Sequence, residues 1–256
     1  MIEIPLFTII SGLLTISVRL TGLMLFAPFF GSIVIPTRIK AIFVLALTLL
    51  LFPTVGKEIA PQSLSEWPLL VFTEFLIGVG MGIATNIVFE AIQLSGQVLG
   101  IQMGYSLVNI LDPQTQVDTT VMAMFYQSIV MLLFLQMDVH YWLLRAVGKS
   151  FLYLPPGTAH LSGLFTLQLL KTVGELFGLG VQIAAPVMSA TLVADIVLGL
   201  LGKASPQMPL MLLGPAVKSL LGLTILIGTL KYWPDLFRHL FTNAVANGEH
   251  LLHLAL

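Results

Sequence analysis

The chain has 256 residues, 57% of them hydrophobic and only 9% charged, whereas a soluble domain carries about a quarter charged residues, so a water-facing surface cannot be assembled from it. A net charge of −1 offers no basic field for nucleic acid. The absence of cysteine removes disulfides, thiolate metal sites and a cysteine nucleophile together. An integral membrane-class, all-α protein is expected, because lipid leaves an open strand edge unsatisfied.

The N-terminus reads Met1-Ile2-Glu3-Ile4-Pro5, without a basic n-region, and no small-residue cleavage motif follows the first apolar run. That first segment is therefore expected to be retained. Six apolar stretches follow in order: Leu6–Ile35, Ala41–Val55, Leu69–Leu99, Val121–Met137, Glu175–Leu201 and Leu210–Leu230. Each reads as a helix, and the punctuation between them is short and rich in proline and glycine. Ala41–Val55 would rise only roughly 22 Å as a helix, against a hydrocarbon core of about 30 Å. Val121–Met137 is also short, while the third run exceeds one crossing. Such uneven lengths fit helices that sit partly among other protein. A six-span count places Lys57, Arg145, Lys149, Lys171, Lys231 and Arg238 on the side of the termini, with Arg38, Lys40 and Lys203 opposite. By the positive-inside rule the termini are expected in the cytoplasm.

In the first run, Arg19 stands between Val18 and Leu20. A charge so placed is paired or faces a lumen, and Glu74, Glu90 and Asp195 are its possible partners; these form a set of candidate buried charges. The third run carries Asn86, Glu90, Gln93 and Gln97, which fall within a sector of roughly 60° on a helix. This polar stripe suits an interhelical hydrogen-bonded seam, a subunit interface or the wall of a water-filled conduit. Gly78 and Gly82, and then Gly96, Gly100 and Gly104, recur every fourth residue, a spacing that lets helices approach closely in lipid. The helix is expected to break between Gly100 and Gly104, ahead of a sequence running to Asp112-Pro113. Methionines including Met103, Met122, Met124, Met131, Met137, Met208 and Met211 suit either core filling or a deformable seal.

Enzyme motifs are lacking. Gly104-Tyr105-Ser106 has Val108 where a nucleophile elbow needs glycine. Gly199-Leu200-Leu201-Gly202-Lys203-Ala204-Ser205 has the wrong glycine spacing for a phosphate loop. The five histidines show no metal-ligand spacing. No catalytic, cofactor-binding or metal residue is expected.

Several blocks together resemble a known family. They are Arg19-x-x-Gly22, Ala27-Pro28-Phe29-Phe30-Gly31 and Ile35-Pro36-x-Arg38; then Glu74 with Gly78 and Gly82, Gly96, Gly100-Ile101-Gln102-Met103-Gly104 and Asp112-Pro113. Further on come Leu133-Phe134-Leu135 with His140, Ser150-Phe151 with Leu154-Pro155, and Ser205-Pro206-Gln207-Met208 with Gly214 and Lys218. In this order the blocks resemble the FliR family of flagellar type III export-gate proteins, whose injectisome counterpart is the SctT family; the stretch from Phe134 to Pro155 favours the flagellar branch. Pro209 and the sequence Gly214-Pro215-Ala216-Val217-Lys218 depart from the family pattern.

The resemblance implies a FliP-like helical part over residues 1–167 and a FliQ-like hairpin with a C-terminal tail over 168–256. It further implies a hetero-oligomeric gate with FliP-like and FliQ-like subunits, beside FlhB-like and FlhA-like proteins, in the bacterial inner membrane at the flagellar basal body. The family's pore plug maps to about Gly104–Gln116, that is to Gly104, Tyr105, Ser106, Leu107, Val108, Asn109, Ile110, Leu111, Asp112, Pro113 and the residues just beyond. Unfolded polypeptides would be the cargo. The alternative of another class is a secondary transporter with a midplane ion site on Arg19, Glu74, Glu90 and Asp195; no internal repeat supports it. An intramembrane enzyme has no motif behind it.

Overall fold

The computed structural model describes residues 6–32, 34–55, 67–105, 119–159, 163–205, 207 and 210–255. Among them are eight helices: α1 (Leu6–Phe26), α2 (Thr37–Val55), α3 (Trp67–Gln102), α4 (Val121–Gln136), α5 (Val139–Tyr153), α6 (Gly163–Ala204), α7 (Leu210–Leu230) and α8 (Trp233–His253). The described residues contain no strand. Helices α1, α2, α3, α6 and α7 are long and apolar enough to cross a membrane, and the bent pair α4–α5 makes a sixth candidate. The all-α membrane architecture is therefore as the composition requires.

Element ends follow local chemistry. The first run stops at Phe26 rather than Ile35: Pro28 cannot continue the helix, Phe29 takes a left-handed φ of 67°, and the Gly31 N–H returns to the Ala27 carbonyl at 2.8 Å. Helix α3 has 36 residues and rises about 54 Å. Helix α6, with 42 residues, rises about 63 Å; it starts at Gly163, twelve residues before the apolar run suggested. Both exceed one bilayer core of about 30 Å.

Two helices escaped the apolar-run criterion. Between α4 and α5 the chain bends by 64° at Asp138, whose φ of 56° is left-handed, so the fourth run continues as a second helix in a new direction. Helix α8 buries Trp233, Phe237, Phe241, Ala244, Gly248 and Leu251 and exposes Arg238, His239, Thr242 and Asn243. Its apolar residues form one stripe at helical spacing rather than a run.

The chain divides into two compact units. One comprises residues 1–87, 138–174 and 241–256, and its core gathers Leu20 and Leu23 of α1, Ile77 and Met81 of α3, Val147 and Phe151 of α5, and Leu251 and Leu252 of α8. Here Gly22 of α1 and Gly78 of α3 let two backbones touch: a Cβ on Gly22 would lie 2.5 Å from the Phe75 carbonyl oxygen, and one on Gly78 would overlap the Arg19 carbonyl oxygen. Gly82 likewise faces Leu23 and Phe26.

The other unit comprises residues 88–137 and 175–240. Phe89 meets Phe134 edge-on at 5.4 Å, and Tyr126 meets Trp233 in the same manner at 5.0 Å. Gly180 of α6 packs on Ala91 and Leu94 of α3. Ser95 is fully buried in this unit and its hydroxyl has no hydrogen-bond partner among the described residues. An unsatisfied buried hydroxyl destabilises by about 1–3 kcal/mol, so Ser95→Ala is expected to raise the melting temperature of the purified chain; a drop would show that the hydroxyl is hydrogen-bonded within the chain.

The sequence-based boundary between residues 167 and 168 falls inside α6, and each compact unit draws on residues from both sides of it.

Candidate functional site

In the first unit one ion pair among the described residues is wholly enclosed. Arg19 Nε donates to Glu74 Oε2 at 2.7 Å, and neither side chain is accessible. Nη1 donates to Ser150 Oγ at 3.2 Å and Nη2 to the Leu154 carbonyl at 3.1 Å, while the guanidinium carbon lies 4.3 Å from the Phe151 ring centre. Ser150 Oγ can accept because its own proton goes to the Val147 carbonyl at 2.7 Å. The second carboxylate oxygen of Glu74 accepts from the Gly157 N–H at 3.0 Å, and Gly157 holds a φ of 87° that suits glycine. One charge pair thus fastens α1, α3, α5 and the Leu154–Gly157 turn together. Every lone pair and donor spent here serves structure, because a buried pair is tolerable only when its remaining groups are hydrogen-bonded.

Of the three carboxylates that sequence alone offered to Arg19, the pairing falls to Glu74. Asp195 bonds Lys218 instead, at 2.9 Å, with its side chain 48% exposed, so it is a surface pair and not a buried charge within this chain. Glu90 is also exposed, and Asn86, Gln93 and Gln97 are half-buried. The four-residue stripe therefore lies along an accessible edge of α3. Sequence reasoning missed Ser150, Phe151 and Gly157 as partners of the pair; Ser150-Phe151 stood out only as a block of the family resemblance, and Gly157 only through the Pro155-Pro156-Gly157 turn, which announces a backbone N–H turned out of regular structure.

In the second unit the end of α3 is built as a root for the chain that follows. The helix stops at Gln102, where a break between Gly100 and Gly104 was expected. Gly104 takes a φ of 86°, and the Tyr105 N–H reaches back to the Gly100 carbonyl at 2.9 Å while Met103 bonds Leu99 at 2.8 Å; this is the left-handed glycine stop. Helices α6 and α7 hold it from the side. Ser219 Oγ donates to the Met103 carbonyl at 3.1 Å, and Thr191 Oγ1 lies 2.9 Å from Gln102 Oε1. A Cβ on Gly104 would sit 2.8 Å from Pro215, and one on Gly222 would sit 2.6 Å from the Met103 methyl.

The chain returns to the same place. Thr120, the N-cap of α4, accepts from the Ala123 N–H at 3.2 Å and donates to the Gly96 carbonyl at 3.1 Å. Gly100 has no room for a Cβ because the Thr120 side chain occupies that space, and Gly96 is pressed on Ala123 in the same way. Tyr105, where the chain leaves, and Thr120, where it re-enters, are thus both fixed on the turn of α3 around Gly100. The expected plug residues Ser106, Leu107, Val108, Asn109, Ile110, Leu111, Asp112 and Pro113 lie outside the described residues; Gly104 and Tyr105 form the described root. No group of three or more metal-ligating side chains occurs among the described residues.

Comparison with known sequences gives this arrangement a context. A sequence model of the family described as "Bacterial export proteins, family 1" matches residues 10–244. Among curated relatives, the flagellar biosynthetic protein FliR of Pectobacterium carotovorum is 29% identical, over 88% of this chain and 86% of that protein. The FliR of Bacillus subtilis is 25% identical over 94% of each chain, and that of Escherichia coli K12 is 26% identical over 88% of this chain and 86% of its own.

Proposed function

The chain belongs to the bacterial export proteins, family 1, and from that membership we propose that it is a FliR-type subunit of the flagellar type III export gate, contributing to a helical channel for unfolded flagellar polypeptides. It performs no covalent chemistry; its work is to line, seal and open a path. Residues 1–167 act as a FliP-like part and 168–256 as a FliQ-like hairpin and tail. FliP-like and FliQ-like subunits cover its apolar flanks, with FlhB-like and FlhA-like proteins alongside, in the inner membrane at the basal body. Flagellar relatives among the similar proteins favour this over an injectisome SctT role.

The observation that carries the reading is the doubly fastened root at Gly100. A stopper must be displaced without unravelling the wall that bears it. Here residues 106–118 can be exchanged while Tyr105 and Thr120 stay on the same helical turn. Exposed apolar side chains along α2, α6 and α7, such as Leu50, Phe177, Leu200 and Leu220, suit lipid or neighbouring subunits. The transporter reading loses support from the enclosure of Arg19 and Glu74, which leaves no open coordination for a passing ion.

Replacing residues 106–118 with a short Gly-Ser linker is expected to leave assembly intact and to raise ion leakage through the gate, measured as conductance in planar bilayers or as salt sensitivity of cells. Unchanged conductance in a fully assembled variant would count against the stopper. Co-expression with FliP-like and FliQ-like subunits, followed by native mass spectrometry, tests the gate itself: one copy in a large fixed-ratio complex is expected. A monomer or homodimer indifferent to those partners would return the transporter reading to first place.

A further inference from the structure

The geometry points to a bound phospholipid on the α1–α2 hairpin, its acyl chain in the cleft between the helices and its phosphate on Lys40. This inference rests on the membrane placement of the two helices and not on the export reading.

Two apolar clefts, of about 380 and 390 Å³, flank the hairpin, and Met24 and Lys40 line both. One of them is lined by Ser17, Thr21 and Leu25 of α1 and by Thr37, Ala41 and Leu45 of α2. From Ser17 to Leu25, eight residue steps along α1, the rise is roughly 12 Å, close to the roughly 15 Å depth of one leaflet, half of a 30 Å core. Along α1 the wall's hydroxyls are taken up by the helix itself: that of Ser17 donates to the Leu14 carbonyl at 2.8 Å, and that of Thr21 to the Ser17 carbonyl at 2.7 Å. An aliphatic chain fits such walls, and water does not.

The polar end is equally defined. Lys40 is half-buried and belongs to neither the Arg19–Glu74 nor the Asp195–Lys218 pair. No acidic residue stands in the first turn of α2, and Arg38 adds a second, exposed cation there. A half-buried lysine that borders two apolar clefts is placed to meet a headgroup phosphate. On the other side, Phe30 stacks on Phe43 at 5.5 Å, and Phe29 lies edge-on to Phe30 at 5.3 Å. The left-handed φ of Phe29 is one that an aromatic residue adopts only where its surroundings hold it, and it sets that ring at the mouth of the second cleft.

The test uses the full chain in mild detergent, exposed to equal amounts of phosphatidylglycerol and phosphatidylcholine, with retained lipid read by native mass spectrometry. The wild type is expected to retain phosphatidylglycerol preferentially, by about fivefold for one cation near the surface. Lys40→Gln should bring that ratio close to one, and Ala41→Phe, which fills the cleft that Ala41 lines, should abolish retention of either lipid. Lys149→Gln, far along the chain on α5, should behave as wild type and controls for a general loss of charge. A photo-crosslinking residue at Leu45 should capture lipid in cells. Retention unaffected by Lys40→Gln and Ala41→Phe, or capture of a protein helix at Leu45, overturns the assignment.

Discussion

Replacement of Arg19 by alanine is expected to destabilise the chain by about 3–5 kcal/mol, because it leaves the Glu74 carboxylate buried without its counter-charge. Glu74→Ala should cost a similar amount by stranding the guanidinium. The pair is inaccessible on both sides, so neither orphan can recover its hydration. The informative variant is the double replacement Arg19→Met with Glu74→Leu, which removes both charges and keeps most of the volume. Removing a whole buried pair is often close to neutral, but here the Gly157 N–H and the Leu154 carbonyl would lose their partners. Each unmade bond costs about 1–3 kcal/mol. The double variant should therefore melt above either single variant and below wild type. Thermal melts in detergent, arranged as a double-mutant cycle, measure this; simple additivity of the two single losses would rule out the network.

The second large effect belongs to Gly78. A Cβ at this position would overlap the Arg19 carbonyl oxygen, a backbone atom that cannot swing aside. Gly78→Ala should destabilise by about 1–3 kcal/mol, as overpacking does, and Gly78→Val should prevent accumulation of folded protein. The contrast lies on α5. A Cβ on Gly148 meets nothing within 4 Å, and a helical glycine costs about 0.5–1 kcal/mol relative to alanine, so Gly148→Ala should stabilise by that amount. Expression level and melting temperature separate the two cases. Equal responses at both positions would mean that the α1–α3 contact is looser than the backbone geometry requires.

Much of this architecture was legible from composition and spacing. Few charges dictated membrane helices, and Leu210–Leu230 was recovered to the residue. Gly78, Gly82, Gly96 and Gly100 marked close approaches because only a missing Cβ permits them. The helical stop at Gly104 was visible for a similar reason. Helix α8 was not, since an amphipathic helix hides its apolar residues among polar ones. Helix α5 was hidden by a bend at Asp138, a residue with no proline or glycine to announce it. The partner of Arg19 was undecidable from sequence: Glu74, Glu90 and Asp195 are chemically near-equivalent, and only packing placed Glu74 within 2.7 Å. The stripe of Asn86, Glu90, Gln93 and Gln97 was readable as one face, but its exposure was not.

The threonine that seals the return of the chain onto Gly100 has a consequence for how such proteins can diverge. Since departure and return share one turn of α3, the number of residues between them is uncoupled from helix register. The spacing between Tyr105 and Thr120 can therefore change without shifting the register of α3. The same interval is the natural place to splice in a reporter, such as a short epitope or a fluorophore-binding tag, while the scaffold keeps its shape.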